Sequence, residues 1–300
     1  MRRGTRSRAA RRTAAQAYGL IAPAGAFYAA FQLFPIVAAI LLSFTTWNGL
    51  NISRIEWVGL ANYQRLVQDE LFWGAAVHNV IVAALIFLLM SFGSFVIAAV
   101  IHAGIRGGAF LRIVFFAPVV ISSVALAMLA IFFFSPSQGL INEALRFIGL
   151  GDLAPAWLGD PLWALPSVAL TYILQNFGFS VLMFLSGLTQ VNDELCEAAE
   201  LDGASQGRIL WSVVLPAIRP VATVVVLLGF INSFRLFDTV YVMTAGGPYH
   251  ASDTLVTYLY GVAFGGNDIG YANAIGVALF LILCTIAAIQ LRLTRERGDG

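Results

Sequence analysis

Six long apolar runs, separated by polar, Gly-rich or Pro-rich connections, set the pattern of this chain: Leu20–Phe44, Ala75–Ile101, Phe110–Phe134, Leu165–Leu188, Val221–Phe237 and Tyr271–Leu291. A bilayer core about 30 Å thick takes about 20 apolar residues in helical form, so each run predicts a transmembrane helix. The fifth is the shortest. The pattern predicts an all-α, polytopic membrane protein with a basic tail over 1–19, a membrane domain over 20–291 and a short tail over 292–300. Leu20–Phe44 is too long for a signal-peptide core and lacks a small-residue cleavage site, so it is expected to remain as the first span.

One connection is unlike the others. Thr189–Pro220 carries Asp193, Glu194, Glu197, Glu200, Asp202, Arg208 and Arg219, too polar to span yet patterned like a folded element. Asn192 or Asp193 can cap a helix whose first turn holds carboxylates, where the positive end of the helix dipole favours them. Gly203 offers a left-handed stop after Leu201 and Asp202. A second helix can start at Ser205, with Ile209, Leu210, Val213 and Val214 on one face and Gln206, Arg208 and Ser212 opposite. Pro216 and Pro220 then mark the turn into the fifth run. These residues alone describe an amphipathic helix–turn–helix at a membrane surface, and its role stays open between a floating surface helix, an ordinary loop and a docking element.

Composition agrees with a membrane protein: 59% of the 300 residues are hydrophobic and 11% charged, against about 25% charged in soluble domains. The charges also orient the chain. With both termini in the cytoplasm, the inner side holds Arg2, Arg3, Arg6, Arg8, Arg11, Arg12, Arg106, Arg112, Arg208, Arg219, Arg292, Arg295 and Arg297. The outer side then holds Arg54, Arg65 and Arg146, with Arg235 near an outer edge, as the positive-inside rule requires. Trp47, Trp57, Trp73, Trp157 and Trp163 fall in the outward loops, where interfacial rings sit.

All 17 basic residues are arginine, so the lysine of a P-loop nucleotide site is missing. No catalytic residues, cofactor or metal site are expected in this chain. Cys196 and Cys284 are far apart and suit neither a disulfide framework nor a metal centre. An ion-coupled secondary transporter is the alternative, but it normally needs embedded carboxylates, and no run places Asp or Glu at mid-depth. An intramembrane hydrolase would need a base beside a buried serine, which His78, His102 and His250 are not placed to supply.

The run EAAELDGASQGRILWSVVLPAIRP resembles the EAA signature of ABC-importer permeases, with Glu197, Ala198, Ala199, Asp202, Gly203, Ala204, Leu215 and Pro216 in the family's spacing. The resemblance implies a type I importer permease whose loop 189–220 is a coupling helix, docking with Arg208 into a separate ATPase that uses ATP and Mg. Glu197 would pair with a basic group of that ATPase, and Gly203 would allow close backbone approach. At Asn192, Cys196, Gly207, Arg208 and Leu210 the family more often has proline, tyrosine, tryptophan, glutamine and phenylalanine, which leaves the ATPase's identity open.

The run FDTVYVMTAGGPYHASDT, with Asn79, the stretch Arg112–Pro118 and Gly139–Asn142, resembles first-type permeases of carbohydrate importers related to the maltose, glycerol-phosphate and lactose systems. On its own Gly246-Gly247-Pro248 reads as a turn. The resemblance implies a bacterial cytoplasmic-membrane location, a heterodimer with a different second permease, two ATPase subunits, an extracytoplasmic solute-binding protein and a sugar substrate. Membrane lipid surrounds such a chain, and no nucleic acid is expected. Polar residues inside the spans are where a solute path is sought: Tyr172, Gln175, Asn176, Asn232 and Ser233, each also able to bridge helices. Arg235 suggests a phosphate contact, against local pairing with Asp238.

Overall fold

The computed structural model describes residues 4–295; Arg2, Arg3 and Arg297 of the expected tails lie outside them. The first helix, α1 (4–42), starts at Gly4 rather than near Leu20. The stretch ahead of the apolar run is rich in alanine and arginine, both good helix formers, and holds no proline, so the helix extends back beyond residue 19. It passes through a π turn at Ala29–Leu33 and ends at Leu42. A two-stranded antiparallel ribbon follows, β1 (Thr45–Thr46) with β2 (Glu56–Trp57), pairing Thr45 with Trp57. After it come α2 (Ala61–Gln68), α3 (Glu70–His102), α4 (Gly108–Val120), α5 (Ser123–Phe133), α6 (Leu140–Phe147) and α7 (Pro161–Leu188). Then follow α8 (Asp193–Leu201), α9 (Gln206–Ala217), α10 (Arg219–Phe234), α11 (Asp238–Met243), α12 (Leu255–Gly265) and α13 (Ile269–Arg295).

Among the described residues, four helical stretches are long and apolar enough to cross a membrane alone: Gln16–Leu42, Glu70–His102, Pro161–Leu188 and Ile269–Gln290. Counting α4 with α5, and α9 with α10, as broken spans gives six. The apolar run Phe110–Phe134 is therefore not one rod. It bends by 106° at Ile121–Ser122, where Ile121 is extended and the Ser122 hydroxyl caps α5 by accepting from Ala125 N–H at 3.3 Å. Pro118 has already removed a donor from the last turn of α4.

The chain forms two compact units. The first holds residues up to Val67 with Val262–Val277. Here the Asn62 amide donates to the Ser43 and Thr45 carbonyls, both at 2.9 Å, which satisfies the chain where it leaves α1. Arg65 pairs with Asp268 at 2.6 Å and lies over the Tyr271 ring.

The second unit holds Gln68–Gly261 and the chain from Ala278 onward. Its centre is α7, with 56% of its apolar window buried, against none for the window of α1. One end of α7 packs Leu165, Val168, Ala169 and Ile173 against Val82 and Ile86 of α3, Ala127 and Ala130 of α5, and Val240 of α11. The other end packs Val181, Phe184 and Leu188 against Phe95 and Ala98 of α3 and Val225 of α10. Gly178 lets α4 approach so closely that a Cβ there would overlap the Phe115 carbonyl.

Candidate functional site: a surface helix–turn–helix and a polar cavity

Local hydrogen bonds shape the α8–α9 turn. Asn192, not Asp193, caps α8, its side-chain oxygen accepting from Glu194 N–H at 3.0 Å. The helix ends in a Schellman turn: Gly203 N–H bonds the Glu200 carbonyl at 2.9 Å and Ala204 N–H the Ala199 carbonyl at 3.0 Å. Gly203 takes φ +78° to do this. Ser205 then caps α9 through Arg208 N–H at 3.4 Å, and Gln206 donates to Glu200 across the turn.

Ile209 is the buried anchor of this element, with Leu210, Val214 and Leu215 half-buried around the α3–α7–α10 core. Glu197, Ala198, Asp202, Gly203, Arg208 and Pro216 are exposed, while Ala199 and Ala204 are half-buried beside the turn. Leu201 at 89% exposure and Trp211 at 58% add apolar surface to the same element. No atom lies within 4 Å of a Cβ placed on Gly203, so its outer side is open. Behind α8 lies a cavity of about 250 Å³ lined by His102, Asp193, Cys196, Glu200, Gln206 and apolar neighbours. The element is thus stiff within itself and incompletely packed against the helices beneath it.

The polar residues within the runs divide into two groups. Tyr172 and Asn176 of α7 and Asn232 of α10 line a cavity of about 280 Å³ with Ser123, Arg235, Asp238 and Thr239. The same three line a smaller void of about 40 Å³ together with Met90, Ser180 and Gly229. Gln175 and Ser233 do not line either cavity. The Gln175 amide donates to the Ile121 carbonyl at 2.8 Å, satisfying the backbone at the α4–α5 break, where no water is at hand in a membrane. Ser233 is fully buried and donates to the Phe230 carbonyl of its own helix at 2.7 Å.

Arg235 and Asp238 both face the larger cavity, and they form no ion pair with each other among the described residues. Their place there follows from the fold of the segment after α10. The Asn79 amide of α3 donates to the Ser233 carbonyl at 2.8 Å and accepts from Leu255 N–H at 2.8 Å, joining the end of α10 to the start of α12. The Thr254 hydroxyl donates to the Leu236 carbonyl at 2.8 Å. These bonds turn the chain back, so that α11 walls the cavity. The only sequence signal was the charged pair at positions 235 and 238 beside the end of an apolar run.

An exposed, self-capped helix–turn–helix lies at one end of α7 and α10, and a polar cavity walled by α5, α7, α10 and α11 lies nearer the other, in a chain with four to six helices or bent pairs of membrane-spanning character. Residues 96–297 match the family described as binding-protein-dependent transport system inner membrane component. The probable ABC transporter permease protein YurN of Bacillus subtilis (strain 168) is 34% identical over 87% of this chain and 90% of its own. The multiple sugar-binding transport system permease protein MsmF of Streptococcus mutans is 30% identical over 89% of this chain and 90% of its own. A chain of a bacterial ABC transporter involved in import of the acidic polysaccharide alginate shares the fold, with a TM-score of 0.84 at 22% identity over 97% of this chain and 99% of that one. This chain belongs to the binding-protein-dependent transport system inner membrane component family, and is a multi-pass membrane protein.

Proposed function

We propose that this chain is one permease of a heterodimeric ABC importer, forming half of the translocation path for a sugar or sugar-like solute. A separate ATPase pair, using ATP and Mg, docks on residues 189–220, and an extracytoplasmic binding protein delivers the solute. Both termini lie in the cytoplasm, with the helix–turn–helix on that side and Thr244–Thr254 outside. The observation that carries this reading is the exposed turn, where Glu197, Gly203 and Arg208 face outward from an element made rigid by its own caps.

Such an element transmits force without bending, while the cavity behind α8 leaves it room to shift. Glu197 supplies a charged peg, forming no ion pair among the described residues. The cavity at Tyr172, Asn176 and Asn232 supplies the hydroxyl and amide groups that a polyhydroxylated solute needs. The sugar assignment is supported by relatives such as MsmF, named for multiple sugar-binding transport.

The test is reconstitution with candidate ATPase and second-permease subunits and a sugar-loaded binding protein. Glu197→Ala and Gly203→Asp are expected to abolish stimulated ATP hydrolysis and uptake. Retention of both activities in both variants removes the docking assignment. A panel of sugars in the same assay identifies the solute.

A further inference from the structure

We infer that the exposed turn at Tyr249–His250 is the contact this chain offers to the solute-binding protein, with Tyr249 as its anchor; the inference rests on the proposed function and orientation. Tyr249 is 93% exposed, although it belongs to a segment whose other residues are largely tucked in. Ser252 and Thr254 are fully buried and Asp253 nearly so.

The turn is held in a conformation that side chains resist. Ala245, Tyr249 and His250 have φ of +49°, +50° and +64°, in the left-handed region that residues with a Cβ rarely occupy. A network fixed to the body of the protein maintains it. Ser252 donates to the Gly247 carbonyl at 2.6 Å and bonds the Thr244 hydroxyl at 2.8 Å. Asp253 bonds His250 at 2.5 Å and accepts from the Thr257 hydroxyl at 2.9 Å. The His78 ring of α3 bonds the Asp253 carbonyl at 2.9 Å, next to the Asn79 bridge.

A lipid headgroup needs no such fixed presentation of one ring. A protein surface does, because an aromatic already held in its bound geometry loses little entropy on docking, and tyrosine is among the residues that dominate interface energies. The family's transport systems depend on a binding protein, which supplies a partner of that kind. Position completes the argument: Thr244 directly follows α11, whose first residues, Asp238 and Thr239, wall the larger cavity. A partner seated on Tyr249 stands one short helix from the cavity that would receive its solute.

The assembled transporter in nanodiscs, titrated with purified binding protein, tests the idea. Tyr249→Ser is expected to raise the binding-protein concentration for half-maximal stimulation of ATP hydrolysis about tenfold, as loss of an interface anchor does, and Tyr249→Phe to restore most of it. A photo-crosslinking amino acid at position 249 is expected to capture the binding protein. An unchanged half-saturation with Tyr249→Ser, or crosslinking only to lipid or the other permease, overturns the inference and leaves the proposed function standing. If the unaltered assembly is not stimulated by any binding protein, the proposed function falls, and this inference with it.

Discussion

The turn at Asp202–Ser205 and the segment Thr244–Thr254 both join short helices, and they are held in opposite ways. The hydrogen bonds that shape the first close within six residues: the Asn192 cap, the Schellman pair, the Ser205 cap and the Gln206–Glu200 contact. The second adds to its local bonds a tie from His78, 175 positions from Asp253, and is flanked by the Asn79 bond to Leu255, 176 positions away. Local bonds make an element that keeps its shape wherever its neighbours move. Long-range bonds make an element that is part of the body. If the helix–turn–helix couples to an ATPase as proposed, the first arrangement suits the piece that must travel, and the second suits the piece that must stay in register with the cavity wall.

The comparison breaks most readily at Asn79. Replacing it with leucine keeps the bulk but leaves the Ser233 carbonyl and Leu255 N–H buried without their partner. Each such orphan costs about 1–3 kcal/mol, so the variant is expected to lose on the order of 2–6 kcal/mol. Thermal unfolding of the purified assembly measures this, and a loss below about 1 kcal/mol would show that the bridge is not what fixes the segment. The variant is also expected to disturb the cavity, because α11 is held in place through the same bonds.

These two regions also show what could be read from the chain beforehand. The apolar runs and the α8–α9 element were legible because their signals are local: period, cap and glycine lie within a few residues of the structure they determine. The choice between Asn192 and Asp193 as the cap is open in the sequence and is made in the fold, where the Asn192 side chain accepts from Glu194 N–H. The break at Ile121–Ser122 was not legible, since a Ser-Ser pair inside an apolar run looks harmless until the Gln175 amide is seen satisfying the freed carbonyl. From sequence, Arg235 reads either as a phosphate contact or as a local partner of Asp238, and the two form no ion pair among the described residues. Their place on the cavity wall depends on Asn79 and Thr254, residues with no pattern linking them to position 235. Gln175 and Ser233 were candidates for a solute path because they are polar within spans, and that signal does not distinguish a group facing a cavity from one satisfying the backbone.

A smaller effect sharpens the same contrast at Gly203. Alanine there meets no neighbour, so only the left-handed φ of +78° opposes it, at about 1–2 kcal/mol. Faster amide hydrogen exchange is expected over residues 193–217 and not over Thr244–Thr254. Combined with Asn79→Leu, the two losses should add within about 0.5 kcal/mol, because the sites share no bond. A larger coupling energy between them would mean that the helix–turn–helix is not mechanically self-contained.

The smallest expected effect lies at Asn192. Its side chain satisfies one of the N–H groups that the first turn of α8 leaves without an intrahelical partner, and alanine cannot replace that bond. A cap of this kind is worth about 1 kcal/mol. Since Asn192 is exposed and bonded only to its own helix, the loss should appear as fraying of residues 193–196 in hydrogen exchange, with almost no change in global unfolding temperature. Asn192→Asp keeps the acceptor and adds a charge that the helix dipole favours, so it is expected to match or slightly exceed the parent. If Asn192→Ala instead lowers the global unfolding temperature as much as Asn79→Leu does, α8 is bound to the body by contacts beyond its own caps, and the contrast between the two turns fails.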